Sequence, residues 1–126
     1  MQEIDWYYDN GEELFPDVGS GVRAGDVAQH WMAVERIYGL DWQRFTPGDW
    51  DALQRINQSL PGWQHFSPDV ARWFSLDEDS ELHLWASVEL SGLQVVGVLT
   101  QGMWQDWDTQ FRRAITNHSL PRRACA

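Results

Sequence analysis

The chain contains no lysine, because all nine of its basic residues are arginines. The absence of lysine excludes Schiff-base chemistry and a P-loop phosphate site, since both depend on the lysine amine. There is also a single cysteine, Cys125, which excludes an internal disulfide, and there is no CxxC pair or histidine cluster to build a zinc site. One thiol agrees with a reducing compartment.

Long apolar runs are missing as well. A stretch such as Val95–Leu99 is far shorter than the ~20 residues that span a bilayer. The first 17 residues carry six acids and no base, which is the opposite of a basic leader followed by an apolar segment. We therefore expect no membrane segment and no signal peptide, and the simplest localisation is cytoplasmic.

Recognisable catalytic motifs are absent. The four histidines share no spacing, and the patterns HExxH, GxSxG and HxE…PCxxC do not occur. The acidic run at residues 77–81 lacks the glycine and the final glutamate of an EF-hand loop, so it does not predict a metal site. No two acids stand with an obvious third catalytic group. The sequence therefore predicts a protein that is not an enzyme and has no metal or other cofactor.

Two residue types are in excess. Nine of the 126 residues are tryptophan, which is favoured in cores, at interfaces and on sugar-stacking surfaces. Nineteen acids against nine bases give a net charge of −10, which argues against nucleic-acid binding because phosphates are neutralised by basic side chains. The length suits one domain over residues 1–126, and 43% hydrophobic residues suffice for a core.

Hydrophobic periodicity and turn signals predict the secondary structure. The first expected elements are a strand over residues 2–8 and a turn at Asn10-Gly11. Three helices follow: one from Asp26 to Gly39, one from Thr46 to Pro61, and a short one that begins at Ser67-Pro68-Asp69 and buries Val70, Trp73 and Phe74. The last elements are the strands Leu82–Glu89 and Leu93–Leu99, joined at Ser91-Gly92, and a helix capped by Thr100. Gly97 inside the last strand indicates a bulge or a close packing contact.

This order predicts an α+β fold. We expect a small antiparallel sheet of three or four strands, with about four helices packed mainly on one face, and a frayed tail over residues 117–126. A winged helix-turn-helix has the same order of elements and is an alternative. It requires the C-terminal arginines to form one basic patch: Arg112, Arg113, Arg122 and Arg123.

Eight of the nine tryptophans fall into two groups, and Trp6 could belong either to the core or to a sheet edge. Five lie on the apolar stripes of predicted helices and are expected in the core: Trp31, Trp50, Trp73, Trp104 and Trp107. Trp42, Trp63 and Trp85 fit no such stripe. Partly exposed tryptophans near acids are suited to protein recognition or to carbohydrate binding. We therefore predict these three as candidate binding residues, although Trp85 would equally suit a second core.

The acids of the candidate site gather in three places. They are the pair Glu12 and Glu13, the helix start at Asp49 and Asp51, and the turn formed by Asp77, Glu78, Asp79 and Glu81. The helix dipole partly explains Asp49 and Asp51. Within each of the other two clusters the acids repel one another, and no local interaction offsets this repulsion. These clusters therefore favour a surface complementary to a cationic protein.

A small, acidic, lysine-free and tryptophan-rich chain of this class resembles the immunity proteins that bacteria pair with toxins. The segment Gly48–Leu53 also resembles the acidic helix start with which barstar blocks its ribonuclease. The resemblance implies an inhibitor that neutralises a cationic toxin, such as a nuclease, by occluding its active site. Two alternatives are a phage-type anti-defence protein that imitates nucleic acid and a tryptophan-based carbohydrate-binding module.

Overall fold

A computed structural model describes residues 6–9, 12–14, 30–65, 71–77 and 80–124, with backbone alone for residues 12–14. Six strand segments and two α-helices are found there. In chain order they are β1 (Tyr7–Asp9), β2 (Glu12–Leu14), β3 (Trp31–Tyr38), α1 (Pro47–Ser59), β4 (Ala71–Trp73), β5 (His83–Glu89), β6 (Gly92–Thr100) and α2 (Gln101–Asn117). A short 3₁₀ helix, Trp42–Arg44, precedes α1.

The strands form one antiparallel sheet in the order β1-β3-β6-β5-β4, with β2 also paired to β3. The segments β1 and β2 lie in line, because Tyr7 opposite Tyr38 and Leu14 opposite Trp31 belong to a single register. The six segments therefore occupy five positions across the sheet. The turn predicted at Asn10-Gly11 lies outside the described residues.

Both helices pack on the same face of the sheet and enclose an aromatic core. In α1 the buried side chains are Ala52, Leu53 and Ile56. Buried aromatic residues of α2 pack against aromatic residues of the sheet. The ring centroids of Tyr38 and Phe111 are 4.6 Å apart, and those of Trp73 and Trp107 are 4.9 Å apart. Within the described residues, neither helix has the length and apolar character to cross a membrane.

The α+β class is confirmed, but the predicted architecture is wrong. The sheet has five positions instead of three or four strands, and the described residues contain two α-helices instead of about four. Residues 31–38, expected as part of a helix, form β3. The spacing of their apolar residues fits both the helical period and the strand period. The strand forms because residues 31–38 pair with strands on both sides, which buries Val34, Arg36 and Tyr38 on one face.

The short helix expected after Ser67 is also wrong where it can be compared. Residues 71–73 form strand β4 at the edge of the sheet, and Trp73 is fully buried opposite Leu84. The start signal Ser67-Pro68-Asp69 and Val70 lie outside the described residues. Three residues are too few to display a helical period, so the neighbouring strand determined the conformation.

Three local predictions are confirmed. Thr46 caps α1 and Thr100 caps α2, each accepting a bond from the backbone three residues later. The β5–β6 hairpin forms as predicted, although its connection is residues 90 and 91, one residue earlier than the expected Ser91-Gly92. Gly97 marks a close packing contact, since a Cβ there would meet the carbonyl of His83 and lie 2.8 Å from the Cα of Leu84.

The chain after α2 runs beside the segment that follows β3. Leu120 is buried, Arg122 pairs with Leu40, and the Asp41 N–H donates to the Pro121 carbonyl at 2.9 Å. The Arg123 N–H donates to the Gly39 carbonyl at 2.8 Å. This pairing places the last described residues beside the 3₁₀ helix, where the candidate surface is found.

Candidate interaction surface

Two tryptophans are stacked at the start of α1. The rings of Trp42 and Trp50 lie 4.9 Å apart with only 10° between their planes, and Phe45 packs 5.0 Å from each of them. We call Trp42, Phe45 and Trp50 the aromatic platform. Trp50 is 40% exposed, while Trp42 and Phe45 are half-buried. The platform therefore presents indole surface to the outside.

The local sequence explains why the platform forms. The Thr46 hydroxyl accepts a bond from the Asp49 N–H at 3.2 Å, and the Asp49 carboxylate accepts one from the Thr46 N–H at 2.9 Å. This capping box, with Pro47 in the first helical position, sets where α1 begins. Because the start is set, Trp50 lies one turn into α1, against the ring of Trp42.

The tip of the β5–β6 hairpin adjoins the platform. The Trp42 indole N–H donates to the carbonyl of Glu89 at 2.8 Å, and the Arg123 guanidinium donates to the carbonyl of Leu90 at 2.6 Å. Leu90 is 97% exposed and Val88 is 56% exposed. Large apolar side chains are thus exposed on both sides of the Trp42–Glu89 bond.

The acids around the platform and the tip are Asp41, Asp49, Asp51 and Glu89, and the bases are Arg44 and Arg123. Among the described residues, none of these four acids forms an ion pair. Asp49 is engaged in the capping box, and Glu89 accepts a bond from Ser87 at 2.9 Å. The surface is therefore net negative, with Asp41 and Asp51 as its unengaged carboxylates.

The structure brings only part of the predicted site together. Trp42 is part of the platform, and Asp49 and Asp51 precede and follow Trp50 in α1. Trp63 packs on buried Trp73 at 5.8 Å, and Trp85 lies half-buried on the sheet face away from the helices. The remaining predicted residues are placed as follows: Glu12 and Glu13 in β2, Asp77 and Glu81 exposed before β5, and Glu78 and Asp79 outside the described residues.

The acids before β5 are remote from the platform. Strand β5 runs from His83 to Glu89, which at 3.3 Å per residue separates its ends by about 20 Å. That separation exceeds two Debye lengths at physiological salt, about 8 Å each. Asp77 and Glu81 therefore do not act together with the platform acids at short range.

Several residues of this surface were not predicted as binding residues from the sequence, and Trp50 and Leu90 are the most exposed aromatic and aliphatic side chains among them. Trp50 was expected in the core because it precedes Leu53 and Ile56 at helical spacing. The buried face of α1 instead centres on Ala52, Leu53 and Ile56, so Trp50 lies on its flank. The signal in the sequence that could have indicated this was the small residue Ala52, which lies on the buried face of α1. For Leu90, a large apolar residue directly before Ser91-Gly92 was the available signal.

A second polar cluster lies inside the molecule. The Asp108 carboxylate accepts bonds from the Arg36 guanidinium and the Tyr38 hydroxyl, both at 2.6 Å, and from Arg112 at 3.1 Å. Arg36 also pairs with Asp9, which ties β1 to β3. Arg36, Tyr38 and Asp108 are all buried.

The environment of this cluster fixes its protonation. Burial raises the pKa of Tyr38 well above its usual range, and the neighbouring Asp108 raises it further, while Arg36 opposes the shift. Burial lowers the pKa of Arg36, but its bond to Asp9 and the charge of Asp108 outweigh burial and raise the pKa overall. Arg36 stays charged and Tyr38 stays protonated, so the cluster holds α2 against the sheet.

The described residues contain no group of three or more histidine, cysteine, aspartate or glutamate side chains arranged to hold a metal ion. Comparisons of the chain with protein-family models, with curated proteins and with solved structures find no match. The functional argument therefore depends on the geometry of the platform and its surroundings.

Proposed function

We propose that this protein binds a cationic protein through the aromatic platform. The observation that carries the proposal is the Trp42–Trp50 stack, in which Trp50 is 40% exposed and which has the acids Asp41 and Asp51 as its neighbours in the chain. Exposed tryptophans are enriched among the few residues that dominate binding energy at protein interfaces. Carboxylates at the rim add attraction for a positively charged partner and raise the association rate.

The distribution of arginines supports this charge argument. Arg36 and Arg112 are engaged with Asp108 and Asp9 in the interior cluster, and Arg122 covers the ring of Trp6. Arg123 is bonded to the hairpin tip. The two arginines of the interior cluster balance the charges of Asp9 and Asp108, so the net charge of −10 comes from the rest of the chain and attracts a cationic partner.

The class of partner that we propose is a bacterial toxin, and the protein would act as its immunity protein. An enzyme that acts on an anionic substrate such as a nucleic acid needs a basic active site. The platform would cover that site with an indole surface while Asp41 and Asp51 face its basic side chains. Affinity would come mainly from the buried indole, since exposed ion pairs contribute about 0–1 kcal/mol each.

The experiment that tests the proposal is affinity capture with the full chain in extracts of the native organism, followed by titration with the purified protein that is recovered. We expect a basic protein. Trp50→Ala should weaken its binding at least about tenfold, because burial of a large aromatic side chain is lost. Tyr8→Ala is the matched control, since Tyr8 is 44% exposed on the opposite sheet face and should leave affinity unchanged.

Recovery of no basic protein, or equal binding by the Trp50→Ala variant, would overturn the proposal. The exposed indole of Trp50 also suits carbohydrate stacking, which is the second candidate function. Calorimetric titration with a panel of oligosaccharides separates the two. Heat of binding that disappears in Trp50→Ala, with no basic protein captured, would support the carbohydrate function.

A further inference from the structure

We propose that the hairpin tip, Val88 to Leu90, is a preformed apolar anchor for the same partner. The anchor would enter an apolar pocket bordered by basic groups. This inference rests on the proposed function, because the tip adjoins the platform through the bond from Trp42 to the Glu89 carbonyl. It adds a second contact and a more specific partner chemistry.

Local conformation does not explain a leucine at position 90. The hairpin pairs Glu89 with Gly92, so Leu90 and Ser91 form a two-residue connection. Such connections favour asparagine, aspartate or glycine. Neither Leu90 nor Ser91 has a positive φ; in this turn the positive φ falls on Gly92. A small polar residue would serve the turn at least as well as leucine.

Packing within the chain does not explain the leucine either. Leu90 is 97% exposed and Val88 is 56% exposed, so neither gains much from the core. Isolated exposed apolar residues are common on protein surfaces. Here, however, Val88 and Leu90 stand on either side of Glu89, whose carbonyl is bonded to Trp42 of the platform, so two exposed apolar side chains flank the point where the tip meets an exposed aromatic surface.

The tip is held from two other parts of the chain. Trp42 donates to the carbonyl of Glu89 at 2.8 Å, and Arg123 donates to the carbonyl of Leu90 at 2.6 Å. The backbone of Arg123 is itself bonded to Gly39. A side chain on a held backbone loses less conformational freedom on binding, so its burial contributes more to affinity.

Charge at the tip selects the kind of pocket. Glu89 and Asp41 lie on the tip and beside the platform, and neither forms an ion pair with a described residue. Among the described residues bonded to the tip, Arg123 contributes one positive charge, which the two carboxylates exceed. A pocket bordered by lysine or arginine therefore complements the tip, whereas an acidic border would repel it.

The test uses the basic protein recovered by the wild-type chain, purified and titrated against variants of the full chain. Leu90→Ala should weaken binding about tenfold or more, because most of an apolar side chain is removed from the contact. Leu90→Met should retain most of the affinity, since it nearly conserves the volume. Leu76→Ala is the matched control, because Leu76 is an exposed leucine before the distant end of β5.

The support from Arg123 is tested without a partner. Amide hydrogen exchange at Leu90 and Ser91 should accelerate in Arg123→Ala, while exchange in α2 stays unchanged. Unchanged exchange at the tip would overturn the claim that it is preformed.

The outcomes for Leu90 and Trp50 distinguish the two proposals. Loss of binding in Trp50→Ala with full binding by Leu90→Ala would support the platform and overturn the anchor. Loss in Leu90→Ala alone would support the anchor and overturn the platform as the main contact. Full binding by both variants, or recovery of no basic protein, would overturn both.

Discussion

At the scale of single residues, Gly97 shows how closely β5 and β6 approach. A Cβ at this position would meet the carbonyl of His83, and Leu84 Cα would lie 2.8 Å away. We expect Gly97→Ala to lower the free energy of unfolding by about 1–3 kcal/mol, as in other overpacked sites. Urea denaturation measures the change.

The matched control for Gly97 is Gly48 in the first turn of α1. Its added Cβ would meet only the Thr46 hydroxyl at 3.7 Å, an ordinary contact. Gly48→Ala should therefore be neutral or stabilising by up to about 1 kcal/mol. Equal destabilisation by both substitutions would contradict the close-approach explanation.

Tyr38 links stability to alkaline pH. An unfolded tyrosine ionises near pH 10, whereas burial keeps the pKa of native Tyr38 well above that value. The raised pKa means that its stabilisation is complete below about pH 10 and declines as the pH rises further. Tyr38→Phe should cost about 1–3 kcal/mol at pH 8, because the bond to the Asp108 carboxylate is lost.

The difference in unfolding free energy between wild type and Tyr38→Phe should narrow between pH 8 and pH 11. The wild type loses stability over this range because Tyr38 ionises in the unfolded chain, whereas the phenylalanine variant has no such group. Urea denaturation at the two pH values measures the difference. A constant difference for Tyr38 would contradict the assigned role of burial.

At the scale of elements, the two acids of α1 have different roles. The Asp49 carboxylate completes the capping box, whereas the exposed carboxylate of Asp51 forms no hydrogen bond or ion pair with a described residue. We expect Asp49→Ala to lower the free energy of unfolding by about 0.5–2 kcal/mol. Asp51→Ala should stay within about 0.5 kcal/mol of wild type. Thermal and urea denaturation measure both, and equal losses would contradict the assignment.

The two α-helices were predictable from the sequence because their start signals are satisfied by capping bonds, whereas the start signal Ser67-Pro68-Asp69 was misleading and elements decided by their neighbours were not predicted. Thr46-Pro47 and Thr100 define the starts of α1 and α2 through local bonds. Strand β3 has no such signal. It is a strand because β6 pairs along its whole length and the in-line segments β1 and β2 pair on the other side. Long-range pairing of this kind leaves little trace in a single sequence.

The same distinction applies to the candidate surface. Asp49 and Asp51 were found through the helix start, and Trp42 through its failure to fit a stripe. The proximity of Trp42 to Trp50 and to the hairpin tip depends on how α1, β5 and the chain after α2 meet, which no spacing reveals. The pairing of Trp63 with Trp73 was not identified, because residues 71–73 were expected in a helix.

At the scale of the whole molecule, the proposed association with a basic protein should depend on salt. Raising the ionic strength from low to physiological values should slow association, because screening shortens the range of the surface field. Asp51→Asn should slow it more than Glu81→Gln, which removes the same charge beside the start of β5, about 20 Å along that strand from the hairpin tip. Stopped-flow measurements over a salt series test this, and an association rate independent of salt would contradict it.

The aromatic core also determines how the intrinsic fluorescence of this protein can be interpreted. Rings from Trp63 through Trp73, Trp107 and Phe111 to Tyr38 lie 4.6–5.8 Å apart in an unbroken series. Excitation absorbed by one indole in such a series passes readily to the next before emission. The intrinsic fluorescence is therefore a collective signal of the interior, and assigning any spectral change to the Trp42–Trp50 stack requires subtraction of a Trp50→Phe spectrum.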